Sequence, residues 1–240
     1  MNQPANLDKI LENKEEAARL IQALREEATK RCMRDGWFFT QFVKTRDEAD
    51  QDSVKSFPQL EYLKELWKVL DESQRTAVAK SRQMFVSWAL CTYCVWFARF
   101  HPNKYIVWQT QKAEDAHKMV CMPGGDKDTG YFGRMQFIER NLPSWLRVPM
   151  KESAGMLGYS NGSMIEAVAG GANQVRGKTA SLIVEDEFAY QDEAKGVYQA
   201  VAPLIQKATK FIACSTPNGP TGVFAEIYHG YRLLAYDEAD

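Results

Sequence analysis

The sequence lacks the features that would place the protein outside an ordinary aqueous compartment. Its 30 basic and 31 acidic residues leave a formal net charge of −1, so any contact with nucleic acid must be local. The first residues lack the charged and apolar regions of a signal peptide, and the longest apolar run is interrupted by Ser87 and Thr92. We therefore expect neither secretion nor a membrane span.

Disulfide and metal-binding patterns are also missing. The five cysteines are an odd number, and three of them lie in apolar runs where thiols are usually buried, which suits a reducing cytoplasm. Cys91 and Cys94 lie within an apolar helical stretch and have no second Cys or His pair, and the three histidines are widely separated. A zinc site is therefore not expected.

The chain divides into an arm and a core. Its 240 residues and 45% hydrophobic content allow one large or two small domains with a sizeable core. Apolar residues at roughly 3.6-residue spacing predict a surface helix over 8–34, followed by an aromatic cluster over 37–43 and a polar loop over 45–53. We assign residues 1–55 to a helical arm and linker and residues 56–240 to the core.

The core alternates between strand and helix patterns. The successive elements are a strand over Arg75–Ala79, an apolar helix over Val86–Phe100, a strand over Lys104–Trp108 and a helix over Ala113–Cys121. Asn161-Gly162 between two β-prone runs predicts a hairpin over 155–169, because Asn-Gly favours tight primed turns. This rhythm predicts a three-layer α/β domain with a mainly parallel central sheet.

Two later apolar strands each end in a cluster of polar residues. Leu182–Val184 runs into Glu185-Asp186-Glu187, and Phe211–Cys214 runs into Ser215-Thr216-Pro217-Asn218-Gly219. The carboxyl edge of a parallel sheet carries such clusters at its binding crevice. A carboxylate at a strand tip can hold Mg²⁺ beside a triphosphate, and the next carboxylate can polarise water, which suits Asp186 and Glu187 respectively. The alternative is an acidic strand end that is simply solvated.

The stretch Ala79–Trp88 has the frame of a phosphate-binding loop without its glycines. It lies between a strand and an apolar helix, as in the pattern G-x-x-x-x-G-K-[ST]. Lys80, Phe85 and Val86 stand where that pattern has glycine, glycine and lysine, and only the hydroxyl of Ser87 is kept. A phenylalanine also disfavours the positive φ that glycine permits. The alternative is that Lys80 is a solvent-facing lysine before a core helix.

Three segments together resemble the ATPase domain of bacteriophage terminase large subunits. They are Ala-Lys-Ser-Arg-Gln-Met-Phe-Val-Ser-Trp, Gln-Val-Arg-Gly-Lys-Thr-Ala-Ser-Leu-Ile-Val-Glu-Asp-Glu-Phe-Ala-Tyr and Cys-Ser-Thr-Pro-Asn-Gly-Pro-Thr-Gly-Val-Phe. In that family the lysine of the phosphate loop often moves to the start of the motif, where Lys80 stands. The resemblance implies a P-loop NTPase fold of the RecA-like class with an N-terminal helical arm.

The resemblance also implies roles for individual residues. Nucleotide would be bound by Gln59, which would sense adenine, and by the loop residues Lys80, Ser81, Arg82, Gln83, Met84, Phe85, Val86 and Ser87. Ser87 and Asp186 would bind Mg²⁺, and Lys80, Glu187 and the arginine finger Arg176 would be catalytic. Ser215, Thr216 and Asn218 would couple phosphate loss to motion. Each role has a structural alternative. Gln59 would be an ordinary surface glutamine, Arg176 would pin the loop bracketed by Gly170, Gly171 and Gly177 to a nearby carboxylate, and residues 215–219 would form a plain turn.

The implied function is ATP hydrolysis with Mg²⁺ that drives double-stranded DNA into a prohead. The implied partners are DNA, the portal protein, the small terminase subunit and further copies in a pentameric ring, in the host cytoplasm. Subunits that this chain resembles continue into an RNase H-like nuclease with clustered acidic metal ligands; no such ligand set is recognised after Gly219, so we expect no endonuclease activity. The alternatives are a catalytically weak or inactive nucleotide-binding or interaction module, and a superfamily 2 helicase fragment, which would need a second RecA-like domain.

Overall fold

The computed structural model describes residues 4–47, 53–122 and 132–230, with side chains from residue 13 onward. The helices are α1 (Pro4–Arg34), α2 (Gly36–Phe39), α3 (Glu61–Glu72), α4 (Val86–Phe100), α5 (Ala113–Met119), α6 (Arg134–Asn141), α7 (Ala172–Val175), α8 (Ala194–Ile205) and α9 (Val223–Gly230). The strands are β1 (Lys44–Arg46), β2 (Val54–Ser56), β3 (Arg75–Ala79), β4 (Tyr105–Thr110), β5 (Met150–Ser153), β6 (Met156–Tyr159), β7 (Met164–Ala169), β8 (Leu182–Asp186) and β9 (Lys210–Ser215).

The predicted α/β fold with a mainly parallel sheet is confirmed. Within the described residues, a seven-stranded sheet has the order β3-β9-β8-β4-β7-β6-β5. Strands β3, β9, β8, β4 and β7 are mutually parallel along this order, whereas β6 and β5 add to the edge in antiparallel fashion. The predicted 155–169 hairpin is β6–β7, and it joins the central sheet because β7 pairs with β4.

Helices cover both faces of the sheet, which gives three layers. Alternate residues of a strand point to opposite faces, so Leu182 and Val184 pack with the apolar residues of α3, α4 and α6. Ile183 faces the other way and packs with residues of α8 and α9. Strand β8 is buried along its whole length, which explains why its sequence reads as a continuous apolar run that ends in acids.

The C-terminal end of the arm is integrated into the larger core. The aromatic cluster after α1 packs there as predicted, with Phe39 and Val43 fully buried, and the Trp96 indole donates a hydrogen bond of 2.7 Å to the carbonyl oxygen of Cys32. The division at residue 55 stays a prediction. The predicted loop over 45–53 is wrong for Thr45 and Arg46, because they form β1 and pair with β2. Residues 48–52 of that loop lie outside the described residues.

Most other boundaries differ from the sequence prediction by a few residues. Strand β4 begins one residue later than predicted and continues to Thr110, whereas α5 ends at Met119. The glycines at 170, 171 and 177 that bracket Arg176 predict a flexible loop, and this prediction is wrong for residues 172–175, because they form the helical turn α7. No helix of the described ranges is long and apolar enough to cross a membrane.

Candidate active site at the carboxyl edge of the sheet

The deviant loop after β3 has the backbone shape of a glycine-containing turn. Gln83 has φ 67°, and Phe85 has φ 56° and ψ 2° immediately before α4 begins at Val86. Phe85 therefore adopts the left-handed conformation that its side chain disfavours. Its ring packs edge to face on Phe57 with centroids 6.5 Å apart, and the Tyr62 hydroxyl donates to the carbonyl oxygen of Met84 at 3.1 Å. These tertiary contacts hold a turn that local preference alone would not select.

The first turn of α4 provides backbone donors next to this loop. The residue before the helix, Phe85, makes no side-chain capping hydrogen bond. The first N–H groups of a helix have no partner within the helix, and they favour anions such as phosphate. Ser87 is half-buried in the first turn, whereas Ser81, Arg82 and Gln83 are exposed. The loop thus places hydroxyl, cationic and backbone donors on one short segment.

Lys80 and Glu187 meet although they are far apart in sequence. The Lys80 ammonium donates a hydrogen bond of 2.9 Å to a Glu187 carboxylate oxygen. The Lys80 side chain is 11% exposed and that of Glu187 is 44% exposed. Burial by itself lowers the pKa of Lys80, but the neighbouring Cys214 sulfur and the Glu187 carboxylate outweigh it and the pKa is raised. Lys80 is therefore not a solvent-facing lysine.

Asp186 is buried beside this ion pair. It is 3% exposed, and burial raises its pKa to about 6, although the nearby Lys80 ammonium opposes the shift. One Asp186 carboxylate oxygen accepts a hydrogen bond of 3.1 Å from the backbone N–H of Glu187. Glu187 itself has φ 50°, in the left-handed region. The acidic strand end is therefore partly enclosed rather than simply solvated.

Two of the three predicted coupling residues, Ser215 and Thr216, contact the same glutamate. The second carboxylate oxygen of Glu187 lies 3.5 Å from the Ser215 hydroxyl, 3.3 Å from the Thr216 hydroxyl and 3.4 Å from the Thr216 N–H. Ser215 also accepts a hydrogen bond of 3.1 Å from the N–H of Ala189, and the Asn218 amide donates to the carbonyl oxygen of Ala189 at 3.2 Å. The turn after β9 is thus bonded to the segment that follows β8.

Gln59 and Arg176 lie outside this cluster of contacts. The Gln59 amide donates to the Thr40 hydroxyl at 3.0 Å and more weakly to the carbonyl oxygen of Phe57, the neighbour of Phe85. Arg176 is exposed at the end of α7, where its guanidinium donates to Asn173 at 3.4 Å. Among the described carboxylates, none forms an ion pair with Arg176. The alternative in which this arginine pins its loop to an acid is therefore not met by the described residues.

The structure adds residues that the sequence patterns did not reveal. Arg134, at the start of α6, places its guanidinium 5.2 Å from the centre of the Trp88 ring and lowers the pKa of Asp186 by its charge. Gln109 and Gln191 form hydrogen bonds near the buried Glu185. Arg134 belongs to no recognisable motif, whereas Gln109 could have been noted because it follows an apolar strand run.

The chemistry of Ser87 and Asp186 fits a magnesium ion. Hydroxyl and carboxylate oxygens are the ligands that Mg²⁺ prefers, and it usually takes one or two carboxylates together with phosphate oxygens and water. Across the described ranges, no group of three His, Cys, Asp or Glu side chains is arranged to hold a metal by itself. The two predicted ligands are of the type that completes its shell with a bound nucleotide.

Comparison with known proteins identifies the fold. No family model matches the sequence. The structure is similar to the large terminase ATPase domain of Thermus phage P74-26, with TM-score 0.53, 17% identity and coverage of 70% of this chain and 68% of that chain. A point mutant of that domain is similar with a TM-score of 0.55 and 14% sequence identity, and the match covers 76% of this chain and 74% of that chain. The HK97 bacteriophage large terminase is similar with a TM-score of 0.51 and 12% sequence identity, and the match covers 74% of this chain and 36% of that chain. The chain has the fold of these ATPase domains.

Proposed function

We propose that this chain is the ATPase motor domain of a viral terminase large subunit, which hydrolyses ATP with Mg²⁺ to move double-stranded DNA into a prohead. One observation carries the proposal: Lys80, Glu187 and Thr216, from three separate motifs, meet at the carboxyl ends of parallel strands. This is where ligands bind in open α/β sheets. The likeness to terminase ATPase domains supports the same choice among proteins with this architecture.

Nucleotide binding would exchange the partners of Lys80. The ammonium now pairs with Glu187, and β and γ phosphate oxygens would compete for it because they carry more charge than one carboxylate. Release from Lys80 would leave the Glu187 carboxylate able to accept a proton from the attacking water. The uncapped first turn of α4 would donate backbone N–H groups to the phosphates.

Asp186 and Ser87 would hold Mg²⁺, which when bound neutralises charge on the phosphate oxygens. Asp186 must be ionised for this role, and burial raises its pKa to about 6, so metal binding would be accompanied by proton release below neutral pH. Ser215, Thr216 and Asn218 would then transmit changes at Glu187 to the β9 turn. The guanidinium of Arg176 is exposed, which suits insertion into the site of a neighbouring copy.

The remaining parts of the proposal follow the family resemblance. They are adenine contact by Gln59, phosphate contact by Arg82, assembly of copies into a pentameric ring on the portal, interaction with the small terminase subunit, and activity in the host cytoplasm. A second function is favoured by one observation: the lysine that would bind phosphate is already neutralised by Glu187. If that pair persists, the chain is a nucleotide-binding module without turnover.

Steady-state ATPase assays with nucleotide-binding measurements separate these functions. The parent protein should hydrolyse ATP at high concentration or when assembled with portal. Glu187→Gln should lower kcat by roughly 10²- to 10⁴-fold while keeping nucleotide affinity, since general-base catalysis is worth that much. Lys80→Ala should weaken nucleotide binding. Lys178→Ala is the matched control. The Lys178 ammonium also pairs with a carboxylate, that of Glu166 at a distance of 2.6 Å, but this pair makes none of the contacts of the candidate site.

The outcomes exclude one another. Absence of turnover above the Glu187→Gln level, even in the assembled state, would contradict the motor function. Nucleotide binding without turnover would then identify the second function. If Lys80→Ala and Lys178→Ala weakened binding equally, Lys80 would have no special role toward phosphate.

A further inference from the structure

A polar network lies on the face of β8 opposite Asp186. Glu185 and Gln109 are fully buried and stand opposite each other on the paired strands β8 and β4. The Gln191 side-chain amide donates to a Glu185 carboxylate oxygen at 3.1 Å and to the backbone carbonyl of Asp186 at 3.2 Å. The network is therefore bonded directly to the backbone of the strand tip that carries the candidate metal ligand and base.

Two side chains next to this network hold the start of α7: Gln109, which stands opposite Glu185 in the sheet, and Glu193, which lies two residues after Gln191 in the chain. The Gln109 side-chain amide donates to the carbonyl oxygens of Ala169 at 2.6 Å and Gly171 at 3.1 Å. A Glu193 carboxylate oxygen accepts a hydrogen bond of 3.2 Å from the N–H of Ala172, the first residue of α7. The N–H of Arg176 in turn donates to the carbonyl oxygen of Ala172 at 3.1 Å. Arg176 thus follows directly from a turn that is tied to Gln109 and Glu193.

These bonds matter because α7 cannot form by itself. It has four residues, and a single helical turn is unstable without tertiary support. Its apolar support comes from the buried side chains of Ala172 and Val175. Hydrogen bonds from side chains of β4 and of the segment after β8 therefore decide where this turn, and the exposed Arg176 after it, is placed.

Burying these polar groups also costs free energy that apolar side chains would not cost if the region served only to pack the core. One side-chain oxygen each of Gln109, Glu185 and Gln191 is buried without a hydrogen-bond partner among the described residues. Apolar side chains of similar size would fill the same space without that cost, whereas polar groups impose one geometry. The network is thus better explained by placement of its bonded segments than by stability.

We infer that Gln109, Gln191 and Glu193 are positioning residues that couple the strand tip at Asp186 and Glu187 to the segment bearing Arg176. A change at the nucleotide site would reach the arginine through these bonds, so that each copy presents its arginine according to its own nucleotide state. The inference rests on the proposed function of the same site. It concerns the placement of Arg176 and assigns no contact with nucleotide to the three positioning residues.

Glu193 is the best position for a test because it is exposed and can be changed without disturbing the core. Glu193→Ala removes the acceptor for the Ala172 N–H and should lower kcat roughly tenfold at unchanged KM, since a misplacement of about 1 Å can cost on the order of 10²-fold. Glu193→Gln keeps an acceptor oxygen and should recover most of the loss. Asp192→Ala removes a neighbouring exposed carboxylate, whose contact is a 3.5 Å hydrogen bond from Gln111, and controls for charge.

Two further measurements identify a positioning effect. Amide hydrogen exchange of residues 172–177 should accelerate in Glu193→Ala and not in Asp192→Ala, whatever the activity. In a double-mutant cycle, Glu193→Ala should slow ATP hydrolysis no further once Arg176→Ala is present, because both changes act through the arginine. Gln109→Met tests the other anchor of α7 by the same exchange measurement.

The results distinguish this inference from the proposed function. If the parent and Arg176→Ala differ in turnover but Glu193→Ala behaves as the parent, the inference is wrong and the proposed function stands. Unchanged exchange over residues 172–177 in both Glu193→Ala and Gln109→Met would also overturn it. If the parent shows no turnover, the proposed function fails, and the coupling inferred from it fails with it.

Discussion

Substituting Glu185 with glutamine should stabilise the protein in a strongly pH-dependent way. Glu185 is fully buried on β8, and burial raises the pKa of its carboxyl group to about 8, although the hydrogen bond from Gln191 opposes the shift. A carboxyl group with a raised pKa in the folded state favours folding only while it is protonated. The stability that this group contributes through its bound proton is therefore fully present below the ordinary pKa of 4.5, and it is lost as the pH rises toward the folded-state pKa of about 8.

The size of the effect follows from the two pKa values. With 4.5 in the unfolded chain and about 8 in the folded one, proton linkage costs the parent about 1 kcal/mol at pH 5, about 3 kcal/mol at pH 7 and about 4 kcal/mol at pH 8. Glu185→Gln carries no titrating group there, so its advantage should grow by about 3 kcal/mol between pH 5 and pH 8. For a chain of this length, 3 kcal/mol corresponds to roughly 6–12 °C in Tm.

Denaturant unfolding at pH 5, 6, 7 and 8 with EDTA present measures this difference. Asp186 titrates over part of the same range, but it is present in both proteins and largely cancels in the comparison. Asp192→Asn, at an exposed site, controls for the loss of one negative charge. A constant difference between parent and Glu185→Gln from pH 5 to pH 8 would refute the reasoning, because it would show that Glu185 ionises in the fold as it does in the unfolded chain.

Three other predictions concern the loop, the core and the metal. Gln83→Gly should raise the free energy of unfolding by about 1 kcal/mol or less, because Gln83 has φ 67° and a left-handed residue other than glycine costs roughly 1–2 kcal/mol; Arg82→Gly should lower it. Arg99→Leu should lower the free energy of unfolding, measured with denaturant, by roughly 3–5 kcal/mol, because it leaves the charge of its buried partner Glu139 uncompensated. Combining Arg99→Leu with Glu139→Leu should restore most of the lost stability, because no unpaired charge is then buried. Asp186→Asn should raise the Mg²⁺ concentration for half-maximal ATPase at least about tenfold, since even residues that only support metal ligands contribute roughly 10- to 100-fold in affinity; an unchanged Mg²⁺ titration would remove Asp186 from the metal site.

The sequence predicted many elements of the fold because the relevant signals are local, but it did not predict β1, β5, α8 and α9. The apolar helix Val86–Phe100 and the strand Arg75–Ala79 have the predicted bounds, and the Asn-Gly turn marked the β6–β7 hairpin. The strand order could not be predicted, because it depends on which strands pair across long separations. In particular, β9 lies between β3 and β8, and this arrangement brings Ser215 beside both Lys80 and Glu187.

The candidate site was predictable only as a set of residue types. The family resemblance selected Lys80 and the acidic end of an apolar strand selected Glu187, yet neither showed that the two side chains would bond to each other. Arg134 was missed because an arginine at a helix start has no distinguishing neighbours in sequence, and its relevance comes from the stacking on Trp88. Gln191 was missed for the same reason, since its importance comes from the buried Glu185 that it bonds.

The unusual backbone of the site gives an independent reason to connect its two loops. Of the five non-glycine residues with positive φ in the described ranges, Gln83, Phe85 and Glu187 lie on the loops after β3 and β8. Such conformations cost of order 1–3 kcal/mol each and persist only where surrounding contacts hold them. Glu187 is held by Lys80 and Thr216, so the contacts that hold one loop come partly from the segments beside it. Glycine would adopt these backbone conformations without the conformational penalty, so stability alone would favour glycine at all three positions. Because Gln83, Phe85 and Glu187 are present there instead, we expect their side chains to be needed at the site.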